Sequence, residues 1–110
     1  MAARFYAPGD LRVEEVDVPK IGKGELLIRN HVTLTCGTDL KMFLRGHRLA
    51  TTPLIIGHEF AGTVEKVGEG VEDFEEGMRV VAANSAPCMS CYYCRIGKPN
   101  LCERLDEVLI

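Results

Sequence analysis

The 110-residue sequence has no excess of positive charge. Thirteen Lys and Arg stand against sixteen Asp and Glu, a net charge of −3. Such a chain projects no broad positive field toward nucleic acid or an acidic membrane surface. No apolar run approaches the roughly 20 residues of a membrane span. The N-terminal stretch "MAARFYAPGD" lacks the apolar core of a secretory signal. No internal repeat or low-complexity tract is present. No Gly-x-Gly-x-x-Gly opens a helix behind a strand: "VGEG" at 67–70 has two glycines in a hairpin context and lacks the third, which excludes a dinucleotide loop. The expectation from these absences is a soluble, cytoplasmic protein with one small domain over residues 1–110, and with neither nucleic acid nor membrane as partner.

Cysteine is what the sequence concentrates. Four of its five cysteines fall within "PCMSCYYCRIGKPNLC", residues 87–102, and the fifth, Cys36, lies far upstream. In a reducing compartment disulfides rarely persist, and an odd count argues against a fully paired framework. Clustered thiols then point to metal. The spacing is Cys88-x2-Cys91-x2-Cys94-x7-Cys102. Two-residue gaps let the chain fold back on one point, and Gly97 and Pro99 turn the longer excursion so that Cys102 becomes the fourth vertex. Tetrahedral sulfur sites hold zinc or iron–sulfur. A bacterial ferredoxin run has three residues before its last cysteine and a proline after it; here there are seven, followed by Glu103. Structural zinc in a lobe over 87–103 is the expectation. A closed four-thiolate site has no open position for substrate, so any chemistry lies elsewhere.

Most of the remaining chain reads as short strands with glycine and proline punctuation. "LRVEEVDV" alternates apolar and polar residues up to Pro19, and "ELLIRNHVTL" reads as a more deeply buried strand. "FAGTVEKVG" alternates again before a tight turn at Gly68 and Gly70, and "MRVVAA" follows Gly77. The spacing predicts a small barrel or sandwich. One or two helical turns are expected at "GTDLKMFLRG", capped by Thr38 or Asp39, with Leu40, Phe43 and Leu44 as its apolar stripe and Gly46 at its end.

Cys36 in "TCGTDLK" and His58–Glu59 in "IIGHEFAG" are the other metal-competent side chains in strongly punctuated contexts. A catalytic zinc takes about three protein ligands and keeps one position open. By spacing alone the alternatives stand: a small buried hydrophobe for Cys36, a helix cap for Thr38 and Asp39, a strand-start acid for Glu59.

Together these motifs resemble the N-terminal part of the zinc-dependent medium-chain alcohol dehydrogenases, the group of threonine, sorbitol and other polyol dehydrogenases. "GHEFAGTVEKVGEGV" fits the family's glycine-histidine-glutamate signature, "CGTDLK" its first-ligand motif, and the cysteine spacing its structural-zinc lobe. The resemblance implies a mainly β, GroES-like twisted barrel with one or two short helices. It implies catalytic-zinc ligands at Cys36 and His58, with Glu59 as their acidic neighbour. It gives Thr38 the hydroxyl that takes the substrate proton, and Asp39 the carboxylate that orients the ligand histidine. Zinc and NAD or NADP are the implied cofactors, a small alcohol or polyol the implied substrate, and a homo-oligomer the implied full enzyme. A histidine further along the proton relay is replaced here by Lys41, and His47 lies nearby in "RGHR". The nicotinamide-binding Rossmann domain and a further zinc ligand have no counterpart in these residues, so the chain is expected to be a fragment that is inactive alone. The alternative is a free-standing zinc module or a GroES-like scaffold; Arg95, Lys98 and Arg104 around the lobe offer little to nucleic acid.

Overall fold

The computed structural model describes residues 1–48 and 50–105. Its strands form two three-stranded antiparallel sheets. In the first, β1 (Ala2–Ala7) is the centre, flanked by β2 (Asp10–Glu14) and, once introduced by the chain, the two-residue β4 (Leu54–Ile55). In the second, β5 (Glu59–Val67) is the centre, flanked by β3 (Leu26–Leu34) and β6 (Arg79–Val81). Helix α1 (Gly37–Arg45) follows β3, and the four-residue α2 (Tyr92–Arg95) and a 3-10 turn (Pro99–Leu101) lie in the cysteine lobe. The expected mainly β architecture with short helices is therefore present.

The β1–β2 hairpin turns at Pro8–Gly9, where Gly9 takes φ 79° and donates its N–H to Phe43 O at 2.8 Å, tying the hairpin to α1. Phe5 on β1 and Val64 on β5 are the most deeply buried large apolar side chains among the described residues, one in each sheet. Strand β2 stops at Glu14, short of the alternating pattern that continues to Val18. The register explains the early end: Glu14 pairs with Ala2, so β1 supplies no partner beyond it. Strand β1 itself carries no alternation strong enough to announce it in the sequence.

The expectation of a deeply buried β3 is corrected. Leu26–Ile28 are half-buried, but the strand is exposed from Arg29 onward, with Val32 and Leu34 more than half uncovered. It is an edge strand, paired on one side by β5, and Val32 and Leu34 border an open cleft. Close packing of β3 on β5 requires Gly62: a Cβ there would stand 2.5 Å from Arg29 O and 2.6 Å from Ile28 Cγ2.

Helix α1 ends at Gly46 as expected, whose N–H reaches Met42 O at 2.8 Å. Its start differs from expectation. Cys36 is the N-cap, its Sγ accepting the Thr38 N–H at 3.2 Å, while Asp39 at the third position accepts the Cys36 N–H at 2.9 Å. Neither Thr38 nor Asp39 occupies the cap, because Cys36, two residues before Thr38, takes it and forms a reciprocal pair with Asp39 at the third helical position. Of the apolar stripe, Phe43 is half-buried and Leu40 and Leu44 are exposed. The final residues of "RLDEVLI" from 106 onward lie outside the described residues.

Candidate metal centres

The antiparallel register of the second sheet builds the first centre. Leu34 pairs with Glu59, so the end of β3 and the start of β5 lie side by side. Cys36 is two residues past that pair and His58 one residue before it. Residues far apart in sequence thereby meet at one end of the ladder: Cys36 Sγ stands 3.1 Å from His58 Nε2. Gly57, at φ 111°, makes the turn that delivers His58. Cys36, His58 and Glu59 place their donor atoms within 4.8 Å of one another.

Asp39 supports both principal donors. One carboxylate oxygen accepts the Cys36 N–H at 2.9 Å, and the other lies 3.7 Å from His58 Nδ1. Asp39 and His58 are both buried, whereas Glu59 at the rim is exposed. A carboxylate behind the imidazole favours a proton on Nδ1 and leaves Nε2 as the lone-pair donor facing Cys36. The donor set of one thiolate, one imidazole and one carboxylate suits zinc and leaves a position open.

This centre opens into a cleft of about 680 Å³, into which Thr38 faces from the first turn of α1. The cleft's apolar wall comes from Val32, Leu34, Phe60 and Val81, and Asn84 lines it from the segment that follows β6. Asn84 is absent from the sequence-based site. A single polar residue between a strand and a cysteine run carries no spacing signal. His47 lines a different cleft, with Phe5 to Pro8 and Arg45, and is not among the residues around Cys36.

The second centre gathers Cys88, Cys91, Cys94 and Cys102, with their sulfurs all within 4.8 Å of one another. A tetrahedron with Zn–S near 2.3 Å needs sulfur–sulfur edges of about 3.8 Å, which this cluster accommodates. Gly97 at φ 78° follows α2, and Pro99 opens the 3-10 turn that delivers Cys102. Met89 takes φ 58°, an uncommon conformation for a side-chain-bearing residue, in the knuckle between the first two cysteines. Backbone N–H groups point at the sulfurs: Cys91 N to Cys88 Sγ at 3.3 Å, Cys88 N to Cys102 Sγ at 3.3 Å, and Arg104 N to Cys102 Sγ at 3.4 Å.

These donors favour thiolate. The Ser90 hydroxyl first, then the Ser90 and Cys91 N–H groups, bring the Cys88 thiol down to about 6. The N–H groups of Cys94 and Glu103 lower Cys91. Burial, followed by the neighbouring thiols Cys91 and Cys102, pushes Cys94 up to about 12. Without a cation Cys88 and Cys91 thus favour thiolate and Cys94 thiol. A divalent metal would supply the charge that lets all four ionise.

The protein-family model described as the alcohol dehydrogenase GroES-like domain matches residues 22–109. A sorbitol dehydrogenase of Bombyx mori is 41% identical over 104 residues, which cover 92% of this chain and 30% of that protein. A cobalt- and zinc-bound thermostable alcohol dehydrogenase from Pyrobaculum aerophilum superposes with a TM-score of 0.86 at 34% identity, over 96% of this chain and 32% of that one. The zinc-dependent alcohol dehydrogenase 2 of Streptococcus pneumonia, solved in its apo form, gives a TM-score of 0.82 at 37% identity, over 93% of this chain and 30% of that one. The chain thus spans about a third of the length of the proteins it matches. With the match extending from the turn before β3 through the cysteine lobe, the chain belongs to the alcohol dehydrogenase GroES-like domain family.

Proposed function

We propose that this chain is the metal- and substrate-holding domain of a zinc-dependent, NAD(P)-linked alcohol or polyol dehydrogenase. The observation that carries the reading is the meeting of Cys36, His58 and Glu59 at the mouth of a cleft that Thr38 also lines. Cys36, His58 and Glu59 would hold the catalytic zinc, and Cys88, Cys91, Cys94 and Cys102 a structural one. The catalytic zinc, when bound, supplies Lewis-acid polarisation of an alcohol oxygen.

The chain's own residues do the rest. Asp39 holds the Cys36 backbone and faces the His58 ring, so both donors keep their aim. The Thr38 hydroxyl accepts the proton of the substrate alcohol and passes it toward solvent at the cleft mouth. Val32, Leu34 and Phe60 pack the substrate's carbon skeleton and limit water at the reacting carbon. NAD or NADP accepts the hydride. Holding that cofactor falls to parts of the enzyme outside these residues, which contain no dinucleotide fingerprint. Five free thiols suit a cytoplasmic setting. Uncovered Tyr92, Ile96 and Leu101 on the lobe suit a homo-oligomer.

Cobalt substitution tests this reading. Loading the chain with Co2+ should produce two sets of visible bands, from the four-sulfur site and from the Cys36–His58 site. Imidazole should perturb the second set alone, because that site has an open position. His58→Ala should remove that set. Bands indifferent to imidazole, or unchanged by His58→Ala, would contradict the assignment.

A further inference from the structure

Helix α1 carries three of the groups around the first centre: Cys36 at its N-cap, with Thr38 and Asp39 in its first turn. His58 and Glu59 arrive with the start of β5. The centre therefore depends on where α1 sits against β5. Nine residues are too few for a helix to stand alone in water, and Asp39 is the one buried residue of α1. The end of α1 remote from the metal donors is held from outside the helix. The last four carbonyls of any helix lack partners within it. Here Met42 O accepts the Gly46 N–H at 2.8 Å, and Phe43 O accepts the N–H of Gly9, at the tip of the β1–β2 hairpin, at 2.8 Å. Pro8 sits at the same junction: a Cβ on Gly46 would lie 3.6 Å from Pro8 Cγ. The hairpin is a braced support. Phe5 of β1 is buried, the Tyr6 hydroxyl donates across the strands to Glu14 Oε1 at 2.7 Å, and the Arg12 guanidinium lies 4.4 Å from the Tyr6 ring centroid.

We infer that the tip of the β1–β2 hairpin is a positioning element for the metal centre: Gly9, through its hydrogen bond to Phe43, holds α1 in the place that aims Cys36 at His58. The inference rests on the function proposed above, since it takes Cys36 and His58 as ligands of one metal. Phe43 lies seven residues beyond Cys36, about 10 Å along the helix axis, so Gly9 touches neither metal nor substrate. It acts through the helix. The N–H it supplies also meets the partial negative charge at the C-terminal end of α1. Two tethers at opposite ends then define the helix: the hairpin tip at Phe43, and Cys36 with Asp39 beside His58. Releasing the first lets α1 pivot about the second, and the metal must then bear the cost of bringing Cys36 back into line. Coupling between binding sites is reciprocal, so metal held by Cys36 and His58 strengthens the Gly9–Phe43 bond by the same factor.

Amide hydrogen exchange in the zinc-saturated chain tests this on the unmodified protein. Gly9 N–H should exchange about two- to tenfold more slowly in the wild type than in His58→Ala, the range of one neutral hydrogen bond. Gly24, whose N–H reaches Glu69 O at 2.9 Å beyond the opposite end of β5, should exchange equally in both. A second arm removes the hydrogen bond itself. The chain is assembled by ligation at Cys36 with the Pro8–Gly9 amide replaced by an ester, which deletes this N–H and keeps the course of the backbone. The Cys36–His58 site, read by its imidazole-responsive Co2+ bands, should bind about two- to tenfold more weakly than in the all-amide chain, with the four-sulfur bands unchanged. Gly9→Ala separates this from a loss of stability. Its Cβ meets nothing within 4 Å, so it strains the turn at φ 79° while keeping the N–H. It should lower the thermal midpoint and leave Co2+ affinity as in the wild type. Equal Gly9 exchange in wild type and His58→Ala overturns the inference, as does an ester chain with undiminished affinity, or a Gly9→Ala loss as large as the ester's. In each case imidazole-responsive bands leave the metal site standing. Bands that ignore imidazole in the all-amide chain overturn both.

Discussion

At the scale of the residue, Asp39 bears most directly on chemistry. It is buried, it anchors the backbone of one candidate ligand, and it stands behind the ring of the other. Asp39→Asn removes the negative charge and sets an amide N–H where an acceptor is needed. Metal affinity at the Cys36–His58 site should fall by about 10–100-fold, as for other groups that orient ligands. Competition with a chromogenic chelator reads that loss, and the four-cysteine site should serve as an unaffected internal control. Gly62 matters in a different way. A methyl group there would meet Arg29 O and Ile28 Cγ2, and the carbonyl belongs to backbone that cannot step aside. Gly62→Ala should therefore cost about 1–3 kcal/mol of stability, as overpacking does elsewhere. A urea midpoint equal to that of the wild type would show that β3 yields more readily than its ladder suggests.

At the scale of the element, the cysteine lobe makes a prediction of its own. In metal-free protein Cys88 carries a depressed pKa of about 6 and Cys94 a raised one of about 12. Thiolate is the reactive form and predominates above a group's pKa. Iodoacetamide at pH 7 should thus label Cys88 well before Cys94, with the Cys88 rate falling as pH drops through about 6. Peptide mapping by mass spectrometry checks the order, and bound zinc should suppress both reactions. This lobe was also the most legible element, because four cysteines at metal-ligand spacing demand a common point whatever surrounds them. The strands were legible in kind and less so in extent. The "LRVEEVDV" pattern outruns β2 because alternation records a preference for extension and cannot reveal that the ladder with β1 ends at the Ala2–Glu14 pair. The apolar residues of β3 suggested burial, yet Val32 and Leu34 line a cleft. Composition does not distinguish a core face from the wall of a binding site. The meeting of Cys36 with His58 depends on the Leu34–Glu59 register, a long-range pairing that local pattern does not contain. A family resemblance supplied that pairing.

At the scale of the whole molecule, the chain is flatter and more open than a compact globule of its length. Its radius of gyration is 15.5 Å and its extents are 40 × 35 × 21 Å, against about 13 Å for the radius of a compact chain of this size. Val32, Leu34, Leu40, Leu44 and Val81 are all about half or more exposed. Of these, Val32, Leu34 and Val81 line the cleft beside Cys36 and His58. Hydride transfer requires donor and acceptor held at roughly 3–3.5 Å, and such positioning is worth roughly 7–11 kcal/mol of barrier. These 110 residues alone, mixed with zinc, an alcohol and NAD+ or NADP+, should therefore show no turnover above background in the absorbance of the reduced cofactor. Metal-dependent turnover that persists through repurification would contradict that expectation. The most direct test of the two-centre account is the zinc content of the purified chain and its Cys36→Ala variant. The account predicts two zinc ions per wild-type chain and one in the variant, the remaining ion retained by the four cysteines. Equal zinc content in the two proteins would contradict it.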